Sequence, residues 1–277
     1  MKISVLLSLF AKENPQFFDS SMKSIWDDQS RKPDEIVLVE DGPLTVELDE
    51  IVRKWKEKLG DILKVVPLKE NKGLAIALNE GAKQCTGDYI ARMDTDDISM
   101  PNRFEVQEKY LMEHKDIVVL GGGMIEFNDE EGDYPARMMP VTYEEIMSTI
   151  GKTSPFVHPS VFIQKEVMEK GFTYNPNCRR CQDKELWYRI IAAKFRVGNV
   201  PEIVIKYRKD PLLYKKRKKS NGIEFKVDMR GIYQVYGLFS LRYIYPIAHY
   251  LFHLLPSNLS KVIYKRFFLR YWRSRNY

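Results

Sequence analysis

Three carboxylates fall within four positions of the sequence, at Asp94, Asp96 and Asp97. They follow residues 89–93, whose aromatic, β-branched and apolar side chains predict a short buried strand. On a strand, Asp94 and Asp96 would point to the same side, because side chains repeat every two residues. Like charges this close are unfavourable unless something positive binds among them, and paired carboxylates suit Mg²⁺ or Mn²⁺.

The acidic cluster also fits a second interpretation. It is then a solvated turn that precedes a helix with its N-cap at Ser99 or Pro101. Spacing alone leaves both interpretations open.

The elements around the cluster follow from hydrophobic periodicity. The first half predicts strands at 3–10, 35–40, 63–68 and 89–93, and helices at 15–30, 46–59 and 73–85. The second half predicts helices at 102–114, 143–150 and 181–194, strands at 117–121, 156–163 and 203–207, a bend or bulge at glycines 121–123, and a β-hairpin or mobile loop at 126–140. Alternating strands and helices predict an α/β fold with a mostly parallel, Rossmann-like sheet flanked by helices.

Ligands of such sheets bind beyond the carboxyl ends of the strands. Asp41 follows the second predicted strand and residues 94–97 follow the fourth, while Ala11 and Glu13 follow the first. The sequence therefore predicts one site to which these three chain segments contribute.

Composition is that of a globular protein, with one large domain or one domain plus an appendage in 277 residues. Three cysteines do not make a disulfide framework, so a reducing cytoplasm is expected, and Cys178 and Cys181 are an incidental CxxC pair. Residues 3–10 are expected to form a first strand rather than a signal peptide.

Charge divides the chain. Residues 206–277 contain 17 Lys and Arg against three Asp and Glu, whereas the other residues are net acidic. Aromatic and basic residues interleave at 263–273, which predicts an amphipathic helix in a membrane interface, with a basic helix packed on the body as the alternative. The apolar piece 243–255 is too short to span a bilayer.

Seven short motifs occur in order within residues 1–208. They are 4–10 with Glu13, 36–42, 70–75, 87–97, 101–103, 158–161 and 182–189. Together they resemble glycosyltransferase family 2 enzymes with the GT-A fold, especially bacterial enzymes of capsule, exopolysaccharide and O-antigen synthesis. The resemblance implies a nucleotide-binding half at about 1–97, an acceptor half at about 98–208, and a separate basic helical tail at 209–277.

The resemblance also implies a nucleotide pocket. Asp41 would accept a hydrogen bond from a uracil ring N–H, which selects UDP-linked donors. Ala11 and Glu13 would line the same pocket, and Lys72 beside Gly73 would lie near the base and the phosphates.

The carboxylate cluster corresponds to the DXD motif of the family. Asp96 would bind the metal, with Asp94 directed to the ribose and the metal, while Arg92 and Asp97 would orient these groups or contact the donor sugar. Asp183 matches the catalytic base, and an acidic helix start is expected to keep it ionised.

Three further residues are assigned to the donor or acceptor sugar. Gln182 stands where the family usually has Glu, which leaves the second carboxylate, Asp183, intact. His158 would line the sugar site, or it is a satisfied histidine under the sheet. Trp187 would pack in the core or contact the acceptor.

The implied reaction is inverting, metal-dependent transfer of a sugar from a UDP-sugar to a hydroxyl of a glycan acceptor in surface polysaccharide biosynthesis, with the acceptor expected on a polyprenyl-diphosphate lipid. The basic tail would hold the enzyme on the inner face of the cell membrane. A sugar-phosphate nucleotidyltransferase is an alternative, although residues 11–15 have no glycine where such an enzyme needs a Gly-rich loop. A non-enzymatic nucleic-acid binder is a weaker alternative, because the body is acidic; no nucleic-acid partner is expected.

Overall fold

The computed structural model describes residues 1–209 and 213–254 of the chain. The interfacial helix predicted at 263–273 lies outside the described residues, as do the side chains of the basic run at 215–219.

The first half alternates strands and helices as predicted. Its elements are β1 (Ile3–Leu9), α1 (Pro15–Ile25), β2 (Glu35–Glu40), α2 (Val46–Leu59), β3 (Leu63–Pro67), α3 (Leu74–Gln84) and β4 (Tyr89–Arg92). The side chain of Asn14 accepts hydrogen bonds from Gln16 N and Phe17 N and so caps α1. Helix α1 is shorter than predicted: it ends at Ile25 because the chain turns there, with Gln29 Nε2 donating to Ser24 O at 2.7 Å.

The second half continues the same sheet. Its elements are β5 (Ile98–Ser99), α4 (Arg103–Glu113), β6 (Ile117–Asn128), β7 (Gly132–Arg137), α5 (Tyr143–Thr149), β8 (Phe162–Gln164), α6 (Lys165–Glu169), α7 (Gln182–Ala192), β9 (Arg196–Arg208), α8 (Leu213–Tyr236) and α9 (Ile244–Leu254). Strand order is β3-β2-β1-β4-β8-β6-β9-β5, with β7 paired to β6. Strands β1, β2, β3 and β4 pair in parallel, as do β6 and β9, whereas β8 is antiparallel to both its neighbours.

Two predicted features of this half are confirmed. Residues 126–140 contain the hairpin of β6 and β7. The pairing register of β6 with β9 shifts at Gly121 and Gly123, which is the irregularity predicted from the triple glycine.

The strand predicted at 156–163 is wrong over most of its length. Residues His158–Ser160 form a 3₁₀ turn, and only Phe162–Gln164 pair in the sheet. Pro159 has no N–H to donate to a neighbouring strand, and Ser160 Oγ donates to Val157 O at 2.7 Å instead. The strand predicted at 203–207 is in turn longer, because β9 begins at Arg196.

Apolar side chains fill both faces of the sheet. On β1, Ile3, Val5, Leu7 and Leu9 belong to the core layer that also contains α1, α2 and α4, whereas Leu6 faces the layer with α3 and α7. Burial on both faces explains why β1 is a near-continuous apolar run rather than an alternating one. The polar ends of the strands are thereby left at the edge of the sheet.

Two helices follow the sheet. Helix α8 packs along α7, and α9 packs back on α8. Among residues 1–209 and 213–254, no helix has both the length and the apolar character needed to cross a membrane.

Candidate active site

The carboxylate cluster lies in a turn rather than on a strand. Strand β4 ends at Arg92, so the prediction that strand alternation aligns Asp94 with Asp96 is wrong. The turn itself brings the groups together: carboxylate oxygens of Asp94, Asp96 and Asp97 all lie within 4.8 Å of one another. The alternative N-cap at Ser99 or Pro101 is also wrong, because α4 begins at Arg103 after Asn102.

Mutual repulsion and burial favour the protonated forms of Asp96 and Asp97. Burial and the charge of Asp94 raise the pKa of Asp96 to about 6. The same two causes, with Asp96 added, raise the pKa of Asp97 well above its ordinary value. A divalent cation would remove this repulsion and ionise the group.

The donor set fits a hard cation such as Mg²⁺ or Mn²⁺. It consists of carboxylate oxygens only, and Asp97 Oδ2 is buried with no hydrogen-bond partner among the described residues. Its other oxygen accepts from Arg208 N at 2.7 Å, so one face of Asp97 is fixed and the other is open to a ligand.

Arg208 is a site residue that sequence reasoning missed. Besides its N–H to Asp97, its Nε donates to Asp96 O at 2.8 Å, and its guanidinium lies 3.8 Å from the ring centroid of Phe17. From α1, Ser21 Oγ donates to Asp94 O at 2.9 Å. The carboxylate turn is therefore held from both sides.

Asp41 joins the ends of three elements. Its N–H donates to Leu9 O at 2.7 Å, which ties it to the end of β1. Its carboxylate accepts from Lys72 N at 2.7 Å and Gly73 N at 3.0 Å, just before α3. The sequence pair Lys72-Gly73 thus has a structural role as well, and the lone pairs of Asp41 that remain are available to a ligand.

The other predicted nucleotide residues lie at the same edge. Ala11 is exposed and Glu13 is half-buried in the loop after β1, and the side chain of Lys72 is exposed. Strand β1 lies between β2 and β4 in parallel register, so the loop after β1 separates Asp41 from the carboxylate turn.

Arg92 is the buried cation of the site. It is 2% exposed, and its Nη2 pairs with Asp94. Its Nε and Nη1 have no hydrogen-bond partner in the described part of the chain. A buried guanidinium with two nitrogens that lack hydrogen-bond partners is costly, and a ligand that accepts hydrogen bonds would relieve that cost.

His158 and Trp187 pack edge to face, with their ring centroids 6.3 Å apart. His158 Nε2 bonds with Tyr174 OH at 2.9 Å, and burial together with the charge of Arg92 lowers the pKa of His158 well below its usual value. The imidazole is therefore neutral. Trp187 is fully buried against Phe156, which makes packing its structural role.

Asp183 is the second residue of α7, after half-buried Gln182. Burial raises the pKa of Asp183, although the Lys184 N–H and the charge of Arg92 act in the opposite direction. The expectation that the acidic helix start keeps this carboxylate ionised stays a prediction, and desolvation acts against it. A raised pKa makes the ionised group a stronger base.

A buried ion pair fixes the first turn of α7 to α8. Lys184 Nζ lies 2.7 Å from Asp228 Oδ1 and 3.3 Å from Glu224 Oε1, and Tyr188 OH donates to Asp228 Oδ1 at 2.8 Å. Gly231 allows the helices to approach, since a Cβ there would lie 2.1 Å from the Tyr188 ring. Sequence reasoning placed neither Asp228 nor its helix in the site.

The family model of Glycosyl transferase family 2 matches residues 10–172. This chain belongs to that family. A glycosyltransferase of Haemophilus influenzae, otherwise uncharacterized, is 34% identical over 96% of this chain and 99% of its own length. The family membership predicted from the motifs is confirmed, and with it the assignment as a glycosyltransferase.

Two further relatives carry more specific names. The amylovoran biosynthesis glycosyltransferase AmsE of Erwinia amylovora is 36% identical over 82% of this chain and 83% of its own. An Escherichia coli enzyme named UDP-Gal:alpha-D-GlcNAc-diphosphoundecaprenol beta-1,3-galactosyltransferase is 29% identical over 98% of both chains.

Solved structures of similar shape confirm the GT-A fold of this glycosyltransferase. TarS 1-349 of S. aureus, in complex with UDP, aligns with a TM-score of 0.62 at 17% identity over 92% of this chain and 70% of its own. The mannosyltransferase PcManGT of Pyrobaculum calidifontis, in complex with GDP-Man and Mn²⁺, aligns with a TM-score of 0.65 at 15% identity over 99% and 83%.

Proposed function

We propose that this enzyme transfers a sugar from a UDP-sugar to a hydroxyl of a glycan acceptor, with inversion at the anomeric carbon, in surface polysaccharide biosynthesis. The observation that carries the proposal is the cluster of Asp94, Asp96 and Asp97 oxygens beside the buried Arg92. Residues 1–208 would form the catalytic domain and residues 209–277 a separate tail.

The donor half of the reaction uses the edge of the sheet. Asp41 would accept the N–H of uracil, with Ala11 and Glu13 beside it. Asp94 and Asp96 would hold a divalent cation, Mn²⁺ or Mg²⁺, which supplies Lewis-acid stabilisation of the charge on the leaving diphosphate. The N–H groups on Nε and Nη1 of Arg92 suit oxygens of the donor.

The acceptor half uses α7. Asp183 would take the proton of the acceptor hydroxyl as its oxygen attacks C1 of the donor sugar. The C1–O bond to the diphosphate breaks in the same displacement, so the configuration inverts. His158, whose Nε2 bonds with Tyr174 OH at 2.9 Å, would line the sugar site together with that tyrosine.

Names of relatives support the substrates. One relative is named for a UDP-Gal donor and a diphosphoundecaprenol-linked acceptor, and another for amylovoran biosynthesis. A lipid-linked acceptor agrees with the apolar surface between α8 and α9, where Phe239 is 96% and Leu241 is 91% exposed. We infer that this surface and the basic tail hold the enzyme on the anionic inner face of the cell membrane.

Donor binding is tested by thermal shift with UDP-sugars, with and without Mn²⁺. We expect at least one UDP compound to raise the melting temperature. If no common UDP-hexose or UDP-N-acetylhexosamine does so, the donor assignment is refuted. Asp183→Asn should abolish transfer while it leaves UDP and metal binding nearly unchanged.

Membrane association is tested by flotation with vesicles that contain phosphatidylglycerol. Phe239→Ser with Leu241→Ser should reduce the bound fraction, whereas Val46→Ser, on exposed α2, should not. Equal flotation of all three proteins would contradict the assignment of this surface.

A further inference from the structure

A groove of about 380 Å³ lies behind the first turns of α7. The loop of residues 175–179 forms one side of the groove, and helix α8 forms the other. It lies outside the sheet edge that holds the carboxylate turn, and no step proposed above uses it.

The groove is basic. Three cations line it: Arg179 on the loop, and Lys226 and Arg230 one turn apart on α8, all of them exposed. Among the described residues, Glu185 is its one acidic lining residue, and Arg189 binds that carboxylate through Nε and Nη2 at 2.9–3.0 Å. The three cations therefore produce a net positive field in the groove.

One wall of the groove is apolar. Val227 and the ring of Tyr188 contribute to it, and Ile223 is 41% exposed at its border. Leu238 and Phe239, both exposed, follow Arg230 by eight and nine residues. Helix α8 ends at Tyr236, six residues or about 9 Å beyond Arg230 at 1.5 Å per helical residue, and Leu238 and Phe239 follow two and three residues later, so an anion in the groove would have apolar surface close by.

The groove adjoins the proposed base. Cys178 lines it, and the charges of Glu185 and Asp183 both contribute to the raised pKa of the Cys178 thiol, so that thiol lies within electrostatic reach of the base. An acceptor bound in the groove would thus have its polar head beside the start of α7.

We propose that this groove binds the diphosphate of a prenyl-diphosphate-linked acceptor, with Arg179, Lys226 and Arg230 as its cations. The inference rests on the proposed function, whose acceptor it deepens. The flexible ammonium group of Lys226 and the planar guanidinium groups of the two arginines can donate charge-assisted hydrogen bonds to two adjacent phosphates. The prenyl chain would leave along α8 toward Leu238 and Phe239.

Farnesyl diphosphate in buffer with EDTA is a suitable probe, titrated by calorimetry into the full chain. Lys226→Gln with Arg230→Gln should weaken its binding at least tenfold. Arg53→Gln with Lys109→Gln removes the same charge from exposed positions on α2 and α4, and it should bind as the wild type does. The wild type and the two double variants should have the same melting temperature, which excludes unfolding as the cause of weaker binding.

Three outcomes would overturn the proposal. One is equal binding of farnesyl diphosphate to the wild type and the groove variant, and a second is displacement of the probe by excess UDP, which would place it in the donor site. The third is that the groove variant binds phosphatidylglycerol vesicles less than the wild type does but binds farnesyl diphosphate equally well. That result would make the groove a site for lipid headgroups. Binding of UDP with Mn²⁺ should be unchanged in the groove variant, so a failure of this inference is separable from a failure of the donor assignment.

Discussion

The buried pair of Lys184 and Asp228 gives a prediction whose size follows from the structure. The two side chains are 9% and 6% exposed and lie 2.7 Å apart. Removing one partner of a buried pair costs about 3–5 kcal/mol, because the other charge stays buried without compensation. Asp228→Asn leaves Glu224 at 3.3 Å from Lys184, so we expect the low end, a loss of about 3 kcal/mol.

Removing both charges should cost far less. Lys184→Met with Asp228→Leu exchanges the pair for apolar groups of similar size, and its main cost is the lost hydrogen bond of Tyr188 OH, about 1 kcal/mol. The double variant should therefore be more stable than Asp228→Asn alone.

Urea denaturation at neutral pH measures these free energies of unfolding. Lys83→Met is the matched control, since Lys83 forms an exposed pair with Glu80 on α3 and should change stability by less than about 0.5 kcal/mol. If Asp228→Asn changes stability no more than this control, the pair is solvated and its role in fixing α7 is refuted.

Three further predictions concern the site. The pKa of Asp96 is raised from 3.8 to about 6, so without metal the folded state binds more protons in this range, and the free energy of unfolding should fall as the pH rises from about 4 to 6. Mn²⁺ affinity should instead rise over the same range, because the ligand must lose its proton; thermal shifts at pH 5 and pH 7.5 check both signs. Gly42→Ala should weaken UDP binding, as φ there is +88° and a Cβ would lie 2.6 Å from Asn71 N, whereas Gly60→Ala, with open space around it, should lower stability but leave UDP binding unchanged. Because the charge of Arg92 lowers the pKa of Asp183, Arg92→Met should move the acidic limb of the kcat–pH profile to higher pH, and an unmoved limb would contradict Asp183 as the base.

Local patterns in the sequence predicted most of the elements of the catalytic body. Residues 36–39 are all apolar because β2 is covered on both faces, and that pattern suffices to identify the strand. The strand predicted at 156–163 failed because one proline and one serine hydroxyl redirected the backbone, which apolar content does not register. Alternation failed at Asp94 for a similar reason: the strand ended two residues earlier.

Partners far apart in the sequence explain what the site prediction missed. Arg208 N and Asp97 are 111 positions apart, and Lys184 and Asp228 are 44 apart. Each residue alone resembles an ordinary charged surface residue. Only the folded chain shows that these four are buried or held in pairs.

The two missed contacts together give residues beyond β9 a role in the chemistry. Arg208 ends β9 and holds the turn that carries Asp97 and the proposed metal ligand Asp96. Twenty positions later, Asp228 on α8 holds Lys184, the neighbour of the proposed base. One stretch of chain thus fixes both halves of the proposed reaction, the donor side through Arg208 and the acceptor side through α8. The chain after residue 208 therefore differs from the catalytic body in composition. It does not differ in structural role, because α8 contributes buried contacts to the helix that bears Asp183.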